Sequence, residues 1–271
     1  MPKHSTSGAT GKSWIALLLC TLMLFSPAVV AQELPQCSRT FTLAYHEHGL
    51  LYNKTIDKGI DKDVAAELIK RSGCQVEIST LPRSRIWLMI EAGQLDFSMS
   101  GITNEARDKY ASFAWYLYNK YYFLVRQDAG VTSLQEFERN PLLKLGGIRS
   151  FRYSKNLNSM VDRLAPLQRI TEVADHEQLL NMLRLGRIQG MIIEPFNYSQ
   201  VESRELDRLT TILESGDPPT LHGLIMSKKS LPLVEQKKWR AIIDGMRLDG
   251  TMLKILQNYF DPAMAKSMVT F

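Results

Sequence analysis

The chain has 271 residues, with 33 Lys and Arg against 28 Asp and Glu, a formal net charge of +5 and 45% hydrophobic residues. That length suits one large domain or two small ones, with ample apolar material for a core. The positive charge is mild, scattered and without a block of like charges, which excludes nucleic acid as an evident partner.

Lys3 and Lys12 precede an apolar run from Trp14 to Phe25, followed by Ser26, Pro27 and Ala28-Val29-Val30-Ala31. A positive start, a short apolar core and a V-x-A end predict a cleaved secretory signal peptide over residues 1–31. The alternative is an uncleaved anchor, but the run is short of the ~20 apolar residues that a spanning helix needs. Cys20 lies inside the run after Leu18-Leu19, with no small residue before it, so it does not read as a lipidation site. Cleavage removes Lys3 and Lys12 and no acid, which lowers the charge from +5 to +3. Cys37 and Cys74 remain, each just before a predicted strand. In an oxidising compartment pairing is the default. It is geometrically possible if the two strands lie side by side and parallel. Two separate buried thiols are the alternative.

Thr40 to Tyr45 reads as a short buried strand and Ile60 to Arg71 as a helix. That helix has Asp61 and Asp63 at its start, Lys70 and Arg71 at its end and Gly73 beyond, as the helix dipole and a left-handed stop require. Val76 to Leu81 is a second strand. Ser84 is placed to cap a helix carrying Ile86, Met89 and Ile90 that stops at Gly93, and Leu95 to Ser100 is a third strand. The order predicts a parallel sheet covered by helices. The pattern recurs downstream: strand Lys144 to Arg149, helix Lys155 to Leu164, a helix capped by Asp175 that stops at Gly186, and strand Ile188 to Glu194. Met89-Ile90-Glu91-Ala92-Gly93-Gln94-Leu95-Asp96 has the same layout as Met182-Leu183-Arg184-Leu185-Gly186-Arg187-Ile188-Gln189. Two α/β lobes of similar construction are therefore expected. Tyr121 to Arg126 and His222 to Met226 are extended runs suited to cross between them, forming a two-strand hinge. The expected boundaries are residues 32–123 plus 222–271 for lobe one and 124–221 for lobe two. Val234 to Phe260 reads as two helices broken near Gly250 that pack back on lobe one.

No G-x-S-x-G, H-E-x-x-H, G-x-G-x-x-G, P-loop or C-x-x-C motif occurs, which removes the common catalytic routes and predicts neither catalytic residues nor a cofactor. His46-Glu47-His48 is the one metal-like cluster; with no further partner evident, the reading is a polar loop and no metal. Open parallel sheets bind ligands beyond the carboxyl ends of their strands, and that is where this loop falls. The same rule singles out Ser100-Gly101-Ile102-Thr103: Gly101 permits close backbone approach, and Thr103 is placed to cap a short helix whose N–H groups favour an anion. Arg107 is suited to grip a carboxylate, or to pair with Glu105 or Asp108. Glu194 ends the matching strand of lobe two, where it would hold an ammonium group, form a salt bridge or cap a turn before Pro195. Arg107 and Glu194 facing each other across a cleft would suit a zwitterion. Tyr45, Tyr52 and Phe151 are candidate aromatic walls, each otherwise a packing residue.

With these residues in view, the chain resembles the family 3 extracellular solute-binding proteins of bacteria, the amino-acid type with two lobes and a hinge. Gly59-Ile60-Asp61-Lys62-Asp63-Val64-Ala65 is similar to the family's G-F-D-x-D-L-A. The stretch from Gly93 through Ser100-Gly101-Ile102-Thr103 to Arg107 and Phe113 resembles its most recognisable segment. Ser133-Leu134 through Gly147-Ile148 resembles the start of its second lobe, and Asp249-Gly250-Thr251 through Tyr259 its closing helices. The resemblance implies a periplasmic binding protein type II-like fold and a periplasmic monomer that binds an amino acid or related carboxylate for an ABC-type permease. It also implies roles: Gly101 and Thr103 contact the ligand, Arg107 takes its carboxylate, and Glu194 stands where Asp usually holds the amine. Tyr45, His46 and Tyr52 match the ligand-facing first loop. Arg83 falls where an aromatic wall is common, and Ser150, Phe151 and Arg152 replace a Gly-Thr turn. Departures are visible. The stretch from Gly101 to Arg107 is one residue shorter than the common form, and Arg83 and Arg152 add positive charge that favours an acidic ligand. A sensor feeding a membrane signalling partner is the rival role. A dehydratase-like enzyme using His46 or Glu47 is a more distant one.

Overall fold

The computed structural model describes residues 1–5, 8, 33–202 and 205–271. The apolar run and V-x-A end expected over residues 14–31, with Lys12 and Cys20, lie outside the described residues. Residues 1–5 and 8 carry no regular secondary structure.

From Phe41 onward the first half builds strands β1 (Phe41–Tyr45), β2 (Val76–Thr80), β3 (Phe97–Gly101) and β4 (Ala111–Asn119), with helices α1 (Ile60–Ser72) and α2 (Arg83–Ala92) between them. The second half continues with β5 (Tyr122–Arg126), α3 (Leu134–Arg139), β6 (Leu145–Ile148), α4 (Lys155–Leu164), β7 (Ile170–Val173), α5 (His176–Arg184), β8 (Gly190–Ile193), α6 (Tyr198–Glu202) and β9 (Thr210–Glu214). β10 (Thr220–Ser227) and helices α7 (Leu233–Leu248), α8 (Thr251–Leu256) and α9 (Pro262–Val269) complete it. The strands form two five-stranded sheets, ordered β2-β1-β3-β10-β4 and β7-β6-β8-β5-β9. In each, three strands run parallel and one of the next two is reversed: β10 is antiparallel to β3 and β4, and β5 to β8 and β9. The sheets are mixed rather than wholly parallel because a strand that follows a crossing re-enters from the opposite end. The chain passes from the first sheet to the second between Asn119 and Tyr122 and returns between Glu214 and Thr220. The run Tyr121–Arg126 thus lies almost wholly in β5, and His222–Met226 lies within β10.

Local signals explain the elements. Gly73, Gly93 and Gly186 adopt φ of 70°, 73° and 68° where helices stop, a conformation that costs glycine little. Asp175 caps α5 by accepting from the Gln178 N–H at 2.9 Å. α2 begins two residues earlier than expected, after Pro82, so Ser84 lies inside the helix and caps nothing. α9 was not anticipated; Asp261 starts it by accepting from the N–H groups of Ala263 and Met264, with Pro262 in the first turn.

Phe41 and Phe97 pack on Trp239 of α7 at 5.2 and 4.7 Å between ring centroids, so the C-terminal helices share the first sheet's core. The register of β1 against β2 sets Phe41 opposite Val76. Cys37 and Cys74 precede those strands by a few residues and form a disulfide with Cα atoms 5.0 Å apart. Asp96, buried before β3, accepts two bonds from Arg39, at 2.7 and 2.6 Å, and one from the Thr42 N–H at 2.9 Å.

Candidate functional site

Loops from the carboxyl ends of β1, β3, β6 and β8 and the N-terminal ends of α2 and α5 converge on one buried cluster. Its centre is Glu194, just after β8 and 4% exposed. Glu194 accepts from His48 Nε2, which follows β1, and from Asn119 Nδ2, at the end of β4, at 2.7 Å. His222 Nε2, on β10, lies 3.9 Å from the second carboxylate oxygen and 3.3 Å from the Tyr121 hydroxyl. His176, the first residue of α5, packs edge-on against His48 at 4.3 Å, and His46 lies 5.4 Å from His48. Phe151 contacts His46, His48 and His176 at 5.7, 5.3 and 6.2 Å. Of the chain's five histidines, all but His4 are here.

Burial dominates the electrostatics. It raises the Glu194 carboxyl, opposed by His222, Asn119, Arg83 and Tyr121. Burial pushes His48 down to about 3 and His222 to about 4, with Arg83's charge adding to it for His48 and Glu194 opposing it for His222. His46 and His176 are likewise held well below the usual imidazole range by burial. The histidines are therefore neutral at pH 7, and His48 donates to Glu194 as an imidazole. Among the described residues the Nδ1 atoms of all four rings have no hydrogen-bond partner, which buried polar atoms rarely tolerate. Asp61 of α1 is fully buried, accepts from Ser100 Oγ at 2.6 Å and the Tyr116 hydroxyl at 2.8 Å, and is raised by burial to about 6.

Three arginines complete the site. Arg83, the first residue of α2 and 8% exposed, donates to the carbonyls of Met99 and Ser100 at 3.1 and 3.0 Å. Arg107, 6% exposed, donates to Ile102 O at 3.0 Å and, from the first half to the second, to Ser150 O at 2.9 Å. Its guanidinium stacks over Trp87 at 4.0 Å. Burial lowers Arg83 to about 10 and Arg107 to about 9, the latter aided by Arg83's like charge. Among the described residues neither has a carboxylate partner. Arg152 differs, being partly exposed and paired with Asp162 at 2.7 Å.

These groups enclose a cavity of about 20 Å³, room for roughly one water. Of the expected site residues, His46, Arg83, Ser100, Arg107, Phe151, Arg152 and Glu194 line it. Ser150 contributes its carbonyl to Arg107. Tyr45 and Tyr52 stack on each other at 4.6 Å in the first core. Gly101 lies in β3, where a Cβ would be 2.2 Å from Ile225, so close strand packing accounts for it. Thr103 caps nothing: its hydroxyl donates to Asp108, and Asn104 accepts from the Arg107 N–H at 2.9 Å. Sequence reasoning missed His48, Tyr121 and His222 in the lining and His176 behind it. Among the described residues no group of three or more His, Cys, Asp or Glu is arranged to hold a metal ion.

The sequence matches the profile of the bacterial extracellular solute-binding proteins, family 3, over residues 48–262. No curated protein matches it significantly. Among solved structures, an ancestral arginine-binding protein bound to arginine is 17% identical, with a TM-score of 0.69 over 83% of this chain and 100% of that one. A histidine kinase sensor domain similar to periplasmic binding proteins is 12% identical, with a TM-score of 0.69 over 82% and 96%. The GluR0 ligand-binding core from Nostoc punctiforme, in complex with L-glutamate, is 13% identical, with a TM-score of 0.67 over 82% and 100%.

Proposed function

The chain belongs to the bacterial extracellular solute-binding proteins, family 3, with their α/β type II periplasmic-binding fold, and from that premise we propose that it captures a small carboxylate-bearing solute, an amino acid or a relative, between two lobes. The lobes follow the two sheets, one of residues 32–119 with 220–271 and the other of residues 122–214. The observation that carries the reading is the bond from Arg107 to Ser150 O, which ties a loop of the first half to one of the second over a buried polar cavity. His48 to Glu194, and the Leu50 N–H to Phe196 O at 2.9 Å, tie the same seam. A cavity of about 20 Å³ is too small for an amino acid, so entry requires the seam to part. Two crossings, residues 119–122 and 214–220, are short enough to act as a hinge while each sheet stays rigid. A ligand that bridges both sides then favours the closed state by its differential affinity.

The protein is exported through a signal peptide, works as a binding protein without catalysis, and hands its ligand to a membrane permease of the ABC type. The likeness to a histidine kinase sensor domain supports a second role, presentation of the ligand to a membrane sensor. Thermal unfolding of the purified protein against amino acids, small carboxylates, polyamines and sugars tests the reading. A ligand at a hundred times its Kd should add ~2.7 kcal/mol of stability, and the gain should vanish in Arg107→Ala. A folded protein that responds to no amino acid or carboxylate sinks it.

A further inference from the structure

Arg83 and Arg107 are both buried, and their guanidiniums reach only backbone carbonyls. Both bear on Trp87, at 5.8 and 4.0 Å from its centroid, so two like charges share one small site. A buried charge without a counter-charge is costly, and proteins otherwise pair such groups. The burial-driven lowering of both arginines reports that cost. Neither nearby acid reaches either guanidinium, and their charges offset the burial of Arg83 only in part. Asp61 acts on Arg83 only at a distance, while its Oδ1 takes the hydroxyls of Ser100 and Tyr116. Glu194 has one oxygen on His48 and the other on Asn119. With each oxygen already accepting from a neutral donor of the chain itself, Glu194 is a weaker acceptor for a ligand's ammonium group. The zwitterion clamp expected from Arg107 and Glu194 thus has a weakened negative half.

We propose, on the premise that this cleft is the solute site, that its ligand is a small dicarboxylate without an ammonium group, one carboxylate taken by Arg107 and the other by Arg83. An α-amino acid would bring a further cation into a site that already holds two arginines without a carboxylate partner among the described residues, and whose acids Glu194 and Asp61 already accept from neutral donors. A dicarboxylate supplies two acceptors where two forked donors lie. His48 is then a positioning residue: by donating to Glu194 it keeps that carboxylate from the ligand.

Titration calorimetry of the full protein with succinate, glutarate, L-glutamate, L-glutamine and L-arginine tests this. Succinate or glutarate should bind at least tenfold more tightly than any of the three amino acids. Arg83→Met should weaken that binding at least tenfold without lowering the melting temperature of the ligand-free protein. A merely structural Arg83 would do the reverse, lowering the melting temperature and leaving affinity intact. Tighter binding of L-glutamate, L-glutamine or L-arginine than of either dicarboxylate overturns the dicarboxylate assignment and leaves solute capture standing. Silence from all five, with the protein folded, overturns the dicarboxylate assignment and leaves solute capture to the wider screen. The ranking of the five ligands on the unsubstituted protein decides the matter even if Arg83→Met fails to fold.

Discussion

His222 and Asp61 should give the stability of this protein opposing pH dependences that can be separated by mutation. His222 is held neutral in the fold at about 4, by burial first, against Glu194, with His48 and Arg83 adding to it. The unfolded chain takes up that proton near pH 6.5. Its contribution is therefore complete above pH 6.5 and is lost as pH falls from 6.5 to about 4. The loss is roughly 3 kcal/mol, since each tenfold change in proton affinity is about 1.4 kcal/mol. Asp61 runs the other way. Burial raises it from 3.8 to about 6, so the fold takes up a proton before the unfolded chain does. Between about pH 6 and 3.8 it returns roughly 3 kcal/mol. Replacing His222 by Asn removes the first contribution and should flatten the acid-side fall by that amount. Asp61→Asn removes the second and should steepen the fall equally. Packing losses in either variant are constant with pH and cancel in the slope. Urea unfolding at half-unit steps from pH 4 to 7 measures it. If the His222→Asn profile runs parallel to the parent's, His222 is not a buried neutral imidazole and the cluster is wrongly read.

The disulfide closes a 37-residue separation at the base of β1 and β2. Cys37→Ser with Cys74→Ser should cost roughly 4 kcal/mol on the chain-entropy scale, read as a lower urea midpoint; a loss under ~1 kcal/mol would show that the loop is already constrained in the unfolded chain. Gly49 has φ of +52°, and a Cβ there would stand 2.1 Å from the Phe196 carbonyl oxygen that accepts the Leu50 N–H. Gly49→Ala should therefore destabilise by roughly 2–4 kcal/mol in the same assay, while an unchanged midpoint would mean that this part of the seam is open in solution.

The scaffold was legible because its signals are local. Charges at the ends of α1, glycine stops after α1, α2 and α5, and the Asp175 cap each decide a few residues at a time, and all are found in place. The start of α9 was legible by the same logic in Asp261-Pro262 and was overlooked. β4 escaped because Ala111–Asn119 is an aromatic-rich run buried at six positions, and its pattern lacks the two-residue alternation that marks a half-buried strand. The site was legible only in part. His46, Ser100 and Glu194 could be placed at strand ends, where ligand sites gather, Arg107 and Phe151 by their chemistry, and Arg83 only through the family resemblance. The pairing of His48 with Glu194 spans 146 residues and that of Tyr121 with His222 spans 101, and no local rule joins them. Asp61 shows the limit most clearly. As a sequence feature it is an acid in a helix's first turn, yet its side chain is fully buried beneath Ser100 and Tyr116.

Several failures of local rules gather at the site. Ser100 and Ser150 hold φ of +51° and +65° without being glycine, a conformation that costs an L-residue roughly 1–2 kcal/mol. Ser100 lies at the end of β3 and Ser150 just beyond β6, the equivalent strand of the other sheet, and their carbonyls receive Arg83 and Arg107. The unpaired arginines, the depressed histidines and the orphaned ring nitrogens lie in the same few ångströms of cleft. Sequences that fold well are locally consistent almost everywhere, and a concentration of inconsistencies marks the place where stability has been surrendered to something else. A ligand that satisfies two buried guanidiniums removes the largest of them at once. The same energetic argument that makes Arg83 and Arg107 poor contributors to folding therefore makes them strong contributors to binding an anion.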